Sequence, residues 1–368
     1  MDSSGSTIPS NELPTPVSER KPPADRATPP DAPFDAVLVV SFGGPEGPDD
    51  VLPFLENVTH GRGVPRERLL EVAHHYERFG GVSPINDQNR ALIAALDREL
   101  RAHAIELPVY FGNRNWHPFL EDTLREMRDA GVRNALAFLT AAYSSYSSCR
   151  QYRENLFDAQ RAIGPGAPAV SRLRMLYNHP GFVTANADRV RAALALVPPE
   201  SPIAFTAHSI PVAMARNCAY EAQLRETARL VAEAVDARRW ELVYQSRSGS
   251  PRVPWLGPDV VEHLDVLHAA GAPGVVVAPI GFVSDHLEVL YDLDIEAREH
   301  AERLALPFAR AGTVGTHPAF VVAVREAIEE RLDAAAPRRA VGRFGPSHDT
   351  CAPDCCLPGT GRASPWDA

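Results

Sequence analysis

Hydrophobic and polar positions in this chain alternate in blocks, short apolar runs being followed by longer amphipathic segments. The run AVLVVSF (36–42) is almost wholly apolar and stops at a glycine-rich turn, which predicts a strand buried on both faces. Comparable runs predict further strands at 108–113, 134–143, 202–209, 240–246 and 274–282. Segments with apolar residues at helical spacing predict helices at 119–131, 219–237, 258–271 and 320–335.

Strands that alternate with helices predict an α/β fold with parallel sheets covered by helices on both faces. The pattern restarts midway along the chain, so we expect two similar lobes, at 34–170 and 171–337. Residues 1–33 are rich in Pro, Ser and acidic residues, which predicts a disordered N-terminal extension. Residues 338–368 form a polar, Pro- and Gly-rich tail that carries three cysteines.

Composition narrows the functional classes. The 368 residues carry a net charge of −10, which argues against a nucleic-acid surface because such surfaces are concentrated and basic. The sequence has neither an apolar run long enough for a spanning helix nor a secretory signal pattern, so cytoplasmic localisation is expected. A phosphate-binding P-loop is absent, and no G-x-G-x-x-G follows a strand, which disfavours a dinucleotide enzyme.

Candidate chemistry follows the predicted strands, because open α/β sheets bind ligands at the carboxyl ends of their strands. His208 ends the strand at 202–209 and can exchange protons near neutrality or ligate a metal. After the strand at 274–282, Glu288, Asp292 and Glu296 recur at four-residue spacing, which places them along one ridge of an α-helix. Like charges at this spacing repel, so the ridge favours a bound cation. A loop-capping histidine and a solvated acidic face remain the alternatives.

The tail cysteines offer a second site. Cys351, Cys355 and Cys356 read C-x3-C-C, which is not the spacing of common zinc modules. Three thiolates need a fourth ligand for tetrahedral zinc or an Fe–S cluster, and Cys149 or Cys218 could supply it. Unrelated free thiols are the alternative.

The loop QSRSGSPRVPWLGP follows the strand at 240–246 and is rich in turn-forming residues. Its Arg247 and Trp255 could pair with a carboxylate and stack on a flat ligand. An ordinary connecting loop is the alternative.

Six segments together resemble the ferrochelatase family, in the family's order and over about residues 35–335. They are LVVSFGGPEGPDDVLPFLENV, FGGVSPIN, YFGNRNW, FTAHSIP, YQSRSGSPRVPWLGPDV and GFVSDHLEVLYDLDIEA. The SFGGPEGP segment and the cysteine-bearing tail resemble the actinobacterial coproporphyrin ferrochelatases. The resemblance implies two Rossmann-like lobes around a porphyrin cleft, with ferrous iron and a free-base porphyrin as substrates. The resemblance favours coproporphyrin III as the substrate, and protoporphyrin IX remains the alternative.

The resemblance also implies residue roles at the cleft. His208 and Glu288 match the family's metal-binding and proton-abstracting pair, and Asp292 and Glu296 match its second acidic ridge. Ser83 matches a position that contacts the porphyrin. Tyr152 matches another such position, and Arg247 and Trp255 are further candidates for porphyrin binding. Phe42 is also a candidate for porphyrin binding; it stands in the loop where some relatives carry an iron-ligating tyrosine, and its phenyl ring cannot ligate iron.

For the tail, the resemblance implies a [2Fe-2S] cluster held by Cys149, Cys351, Cys355 and Cys356, with Cys218 as the reserve ligand. It further implies transient contacts with other enzymes of heme biosynthesis. Rival interpretations are a non-catalytic tetrapyrrole or metal carrier and a cobalt chelatase with the same bilobal fold. Metalloporphyrin formation and metal competition distinguish these alternatives.

Overall fold

The computed structural model describes residues 33–61, 63–248 and 252–359. The predicted N-terminal extension, apart from Pro33, lies outside the described residues, as does the end of the predicted tail from 360 onward. Among the described residues, no helix combines the length and apolar character that a membrane crossing needs.

The first lobe is built on a sheet of parallel strands in the order β2-β1-β3-β4. The strands are β1 (Ala36–Ser41), β2 (Val109–Asn113), β3 (Asn134–Leu139) and β4 (Ala169–Arg172). A 3-10 turn (Pro48–Asp50) and a π-helical turn (Tyr146–Arg150) accompany α1 (Val51–Val58), α2 (Arg66–Glu77), α3 (Ile85–Ala102), α4 (Leu120–Asp129) and α5 (Gln151–Ile163). The predicted boundary between the lobes, at 170 and 171, falls within β4.

The second lobe repeats this topology, with parallel strands in the order β6-β5-β7-β8. The strands are β5 (Ile203–His208), β6 (Trp240–Gln245), β7 (Val275–Ala278) and β8 (Phe308–Arg310). The helices are α6 (Pro180–Leu194), α7 (Val212–Ala215), α8 (Tyr220–Ala234), α9 (Val260–Ala269), α10 (Leu287–Val289), α11 (Arg298–Arg303) and α12 (Pro318–Leu332). The prediction of an α/β fold with two parallel sheets is thus confirmed.

Local chemistry explains where several elements end. Helices α4 and α9 are followed by Gly131 and Gly271 at positive φ, the conformation that lets a backbone leave a helix. Asp259 begins α9 with a capping box shared with Glu262. Strand β7 stops before Pro279, which has no N–H to donate to a neighbouring strand.

One apolar core runs through both lobes. Strand β1 is completely buried from Ala36 to Val40, as expected for a central parallel strand. The same cluster of contacting side chains includes Phe205 of β5, Phe182 of α6 and Phe320 of α12. Helix α12 packs against α3 of the first lobe, and its Phe320 ring lies 6.1 Å from that of Phe138 in β3, so the two lobes share one apolar interface.

The segment after β7 departs from the expected α-helix. Between α10 and α11 the chain is π-helical over Leu290–Ala297. Its wider i→i+5 turn makes residues four apart fall just short of a full turn, whereas in an α-helix they pass it. The acidic ridge nevertheless survives, because Glu288 and Glu296 both act electrostatically on Asp292.

Candidate functional site

A cavity of about 740 Å³ lies where the carboxyl ends of the two sheets meet. Its walls come from the segments that follow β1, β3, β5 and β7, which is the position expected for a ligand in open α/β sheets. The volume falls within the range of small-molecule and cofactor pockets.

His208 and Glu288 are neighbours in the lining of this cavity. The Nε2 atom of His208 lies 3.7 Å from a carboxylate oxygen of Glu288. His208 ends β5, and its Nδ1 donates to the carbonyl oxygen of Ser209 at 2.5 Å. This bond places the proton of a neutral ring on Nδ1 and leaves the Nε2 lone pair for a proton or a metal ion. The sequence-predicted pair is therefore brought together with its reactive atoms in the cavity.

Two further titratable groups surround Glu288, and sequence reasoning did not single them out. His286 begins α10, and burial lowers its pKa, against an opposing effect of Glu288. Burial, and then the charge of Glu288, raise the pKa of Tyr76. Both shifts favour the neutral forms of His286 and Tyr76 near pH 7.

The acidic ridge continues behind this wall. Asp292 accepts hydrogen bonds from the Ser246 hydroxyl and, at 3.2 Å, from Gln245 Nε2. Burial raises the pKa of Asp292 to about 7, although the bond from Ser246 opposes the shift. Burial also raises the pKa of the more exposed Glu296, with Asp259 adding to the effect. The described cavity lining includes Glu288 but neither of these two carboxyl groups.

Four of the predicted porphyrin contacts, Ser83, Tyr152, Phe42 and Trp255, line the cavity. The buried indole nitrogen of Trp255 has no hydrogen-bond partner among the described residues. Arg247 is exposed and is not among the described lining residues.

Arg114 is a lining residue that the sequence reasoning missed. Its guanidinium lies 4.5 Å from the ring centre of Tyr152 and 5.6 Å from that of Phe42. Its Nε donates to Asn155 at 2.7 Å. The available signal was the position of Arg114 directly after β2, in the YFGNRNW segment. A cation placed between aromatic rings on a cavity wall is suited to an anionic, flat ligand.

The structure gathers four cysteines at a second place. The sulfur of Cys149, in the first π-helical turn, lies 4.0 Å from that of Cys356, which lies 3.6 Å from that of Cys355. Cys351 interacts with Cys149 and Cys355, and these contacts lower the pKa of its thiol. Cys218 instead directs its thiol to the carbonyl oxygen of Met214 at 3.4 Å.

Basic side chains surround these sulfurs. Arg172 Nη2 donates to the Cys351 sulfur at 2.6 Å, and His348 Nε2 lies 3.3 Å from the same sulfur. The ligand atoms of His348, Cys351 and Cys355 all lie within 4.8 Å of one another. Sequence reasoning missed His348, although its H-x2-C spacing to Cys351 was visible.

A solved structure shares this fold. SirB from Bacillus subtilis, solved with Fe³⁺, matches with a TM-score of 0.53 at 13% identity, over 81% of this chain and 95% of that one. The family model for ferrochelatase matches residues 34–332. The chain therefore belongs to the ferrochelatase family, whose activity is that of a porphyrin metal chelatase, a lyase.

Close relatives cover nearly the whole chain. A ferrochelatase from Rhodopirellula baltica is 54% identical over 329 residues, which are 88% of this chain and 94% of the relative. A coproporphyrin III ferrochelatase from Streptomyces coelicolor is 53% identical over 351 residues, which again cover 88% of this chain and 94% of the relative. Another from Frankia alni is 53% identical over 358 residues, which are 93% of this chain and 91% of the relative.

Proposed function

We propose that this protein inserts Fe²⁺ into coproporphyrin III to give Fe-coproporphyrin III in heme biosynthesis. The single observation that carries the chemistry is the opposed pair of His208 Nε2 and the Glu288 carboxylate, 3.7 Å apart at the cavity wall. The choice of porphyrin is supported by relatives that act on coproporphyrin III, such as those of Streptomyces coelicolor and Frankia alni.

Insertion requires removal of two N–H protons from the porphyrin centre and of water from the iron. His208 Nε2 has the lone pair to accept one proton or to ligate the incoming iron, and Glu288 offers a carboxylate for the other. Asp292, with a pKa of about 7, can take up and release protons at neutral pH behind this pair. Two protons leave the macrocycle as one dication enters, so the charge of the ring site balances.

The two candidate porphyrins differ in the number of propionate carboxylates that the cavity must bind. Coproporphyrin III carries four propionates and protoporphyrin IX carries two, so the former needs more donors at the cavity. The lining residues near Tyr152 in sequence or space include the Arg114 guanidinium and the side chains of Ser147 and Gln151. This concentration of donors favours coproporphyrin III, and protoporphyrin IX is the second candidate.

An anaerobic assay with Fe²⁺ and each free-base porphyrin tests these assignments. We expect metallation of both porphyrins, with the higher kcat/KM for coproporphyrin III. A preference for protoporphyrin IX would reverse the substrate assignment and leave iron insertion standing. Binding of porphyrin without metallation would overturn the enzymatic function in favour of a carrier.

We also propose that the cysteine site holds a [2Fe-2S] cluster. Each iron of such a cluster binds two thiolates, which bonds of about 2.3 Å at a tetrahedral centre put about 3.8 Å apart. The Cys356 sulfur has two neighbours near this spacing, Cys355 at 3.6 Å and Cys149 at 4.0 Å, and either could share an iron with it. Arg172 donates to one sulfur, and the buried Nη2 of Arg150 has no hydrogen-bond partner among the described residues. Such donors fit an anionic cluster.

The ligands in this proposal are Cys149, Cys351, Cys355 and Cys356. A bound cluster supplies a covalent crosslink between the tail and the first lobe, together with one-electron redox chemistry. Iron and acid-labile sulfide analysis of the anaerobically purified protein, together with visible absorbance, tests it. Stoichiometric zinc without sulfide would overturn the cluster in favour of a zinc site.

The proposal places the enzyme in the cytoplasm, where thiols remain reduced and able to ligate iron. Transient contacts with other enzymes of heme biosynthesis would transfer the hydrophobic macrocycle directly. Cell fractionation and crosslinking in cells test these two points. Recovery in an oxidising compartment would overturn the first, and absence of pathway enzymes from the crosslinks would overturn the second.

A further inference from the structure

The first π-helical turn, Tyr146–Arg150, separates the porphyrin cavity from the cysteine tail. Tyr146, Ser147 and Ser148 line the cavity, whereas Cys149 and Arg150 are buried on the side of the tail. The tail also reaches the cavity directly, because Pro358 is part of the lining. A displacement of the tail therefore acts on the same short turn that forms part of the ligand site.

Arg150 connects the turn to the tail. Its guanidinium is buried, and Nη1 donates to the carbonyl oxygens of Pro353 at 2.5 Å and Cys355 at 3.1 Å. The Nε atom of the same guanidinium donates to Glu154 Oε1 at 2.8 Å. Since a guanidinium is planar and rigid, a shift of the tail carbonyls changes the orientation in which Glu154 is held.

Glu154 carries the connection onward to the cavity. Its second carboxylate oxygen accepts a hydrogen bond from the Tyr146 hydroxyl at 3.2 Å. Tyr146 is half-buried, with its ring in the cavity lining. One continuous chain of hydrogen bonds thus runs from the tail backbone through Arg150 and Glu154 to Tyr146, at the cavity lining.

We propose that Tyr146 is a positioning residue through which the cysteine tail controls porphyrin binding, by way of Arg150 and Glu154. This rests on the proposed function only for the identity of the ligand. When the tail is in place, Glu154 fixes the Tyr146 phenol and hence the shape of this part of the wall. When the tail is displaced, the phenol loses its fixed acceptor and porphyrin affinity falls. A change at the cysteine site that displaces the tail therefore changes the porphyrin affinity of the cavity.

A double-mutant cycle on the full-length protein tests the coupling. The variants are Tyr146→Phe, which removes only the hydroxyl, Arg150→Lys, which keeps the charge but loses the planar fork, and the double variant. The measurement is equilibrium binding of coproporphyrin III without iron, followed by porphyrin fluorescence. Visible absorbance is recorded alongside as a measure of the cysteine site.

Each single substitution should raise the Kd about three- to tenfold, the effect of one hydrogen bond. The double variant should bind no more weakly than the weaker single variant, because both act through the same chain. The matched control is Ser147→Ala. Ser147 lines the same cavity from the same turn, and its hydroxyl lies 3.8 Å from Met214 Sδ, outside the chain of hydrogen bonds that contains Tyr146. The effect of Ser147→Ala should multiply with that of Arg150→Lys.

Multiplied effects for Tyr146→Phe and Arg150→Lys, or an unchanged Kd for Tyr146→Phe, would overturn the proposal. If Arg150→Lys does not fold, Glu154→Gln replaces it in the cycle and breaks the central link. If the unsubstituted protein fails to bind coproporphyrin III or to metallate it, the proposed function fails. If it does both and the cycle is multiplicative, only the coupling fails.

Discussion

Substitution of Asp292 by Asn should change how the stability of the iron-free protein depends on pH. Burial raises the folded-state pKa of Asp292 from 3.8 to about 7. The folded protein then binds this proton more tightly than the unfolded chain does. The contribution of Asp292 to stability is complete below pH 3.8 and is lost as the pH rises through 7.

The magnitude follows from the shift. At about 1.4 kcal/mol per pKa unit, the whole shift is worth about 4 kcal/mol, of which roughly 3 kcal/mol falls between pH 5 and pH 8. Asn stays neutral throughout and can still accept from Ser246 through its carbonyl oxygen. The free energy of unfolding of Asp292→Asn minus that of the unsubstituted protein should therefore increase by roughly 3 kcal/mol from pH 5 to pH 8, because only the unsubstituted protein loses stability over this range.

Urea unfolding at a series of pH values, followed by circular dichroism, measures this difference. The matched control is Asp294→Asn on the same π-helical segment, which removes the negative charge paired with Arg310 Nε at 2.8 Å. It should destabilise the protein by a similar amount at every pH, because the guanidinium stays charged. A constant difference for Asp292→Asn between pH 5 and pH 8 would refute the reasoning about burial.

Other substitutions test the two sites and the packing of α6 against α12. His208→Ala should slow iron insertion by about 10²–10⁴-fold while porphyrin binding stays within a few-fold, as measured by turnover and fluorescence; normal turnover would remove His208 from the mechanism. Cys149→Ser should abolish visible absorbance and acid-labile sulfide, whereas Cys218→Ser should keep both; the opposite result would exchange the two ligands. Gly181→Ala should lower the free energy of unfolding by about 1–3 kcal/mol, because its methyl group would lie 2.2 Å from a carbonyl oxygen of α12, whereas Gly47→Ala, with nothing within 4 Å, should have little effect.

The spacing of apolar residues and the composition were sufficient to predict the central strands of both sheets. Strands β1 and β5 are buried on both faces, so their apolar runs had no other interpretation. Strands β4 and β8 have four and three residues, and neither carries a long apolar run. They were missed because so few residues carry no recognisable apolar pattern, and such a short strand is specified by its neighbour in the sheet more than by its own residues.

The site was predictable where chemistry is concentrated in a short segment. AHSIP and DHLEV each place a reactive side chain at a strand end or helix start, and the structure brings His208 and Glu288 together. Arg114 was missed because its aromatic partners, Phe42 and Tyr152, lie far from it in the chain. Tyr146 and His348 have partners only eight and three residues away, but the fold alone decides whether such a side chain lies at the cavity or at the cysteine site. Cys149 lies 207 residues from Cys356, a distance that no local pattern can bridge.

The two lobes have the same strand order, and the π-helical turns occupy equivalent places within them. One follows β3 and the other follows β7, which hold the same position in their sheets. In the first lobe the turn carries Tyr146 and Cys149; in the second it carries Asp292, one turn beyond Glu288. A π-helical turn is poorer in hydrogen-bond geometry than an α-helix and persists mainly where a site requires its wider spacing. The two lobes use this irregularity differently: the turn of the first lobe places Tyr146 in the cavity lining, whereas that of the second lobe begins just after Glu288 and places Asp292 outside the described lining.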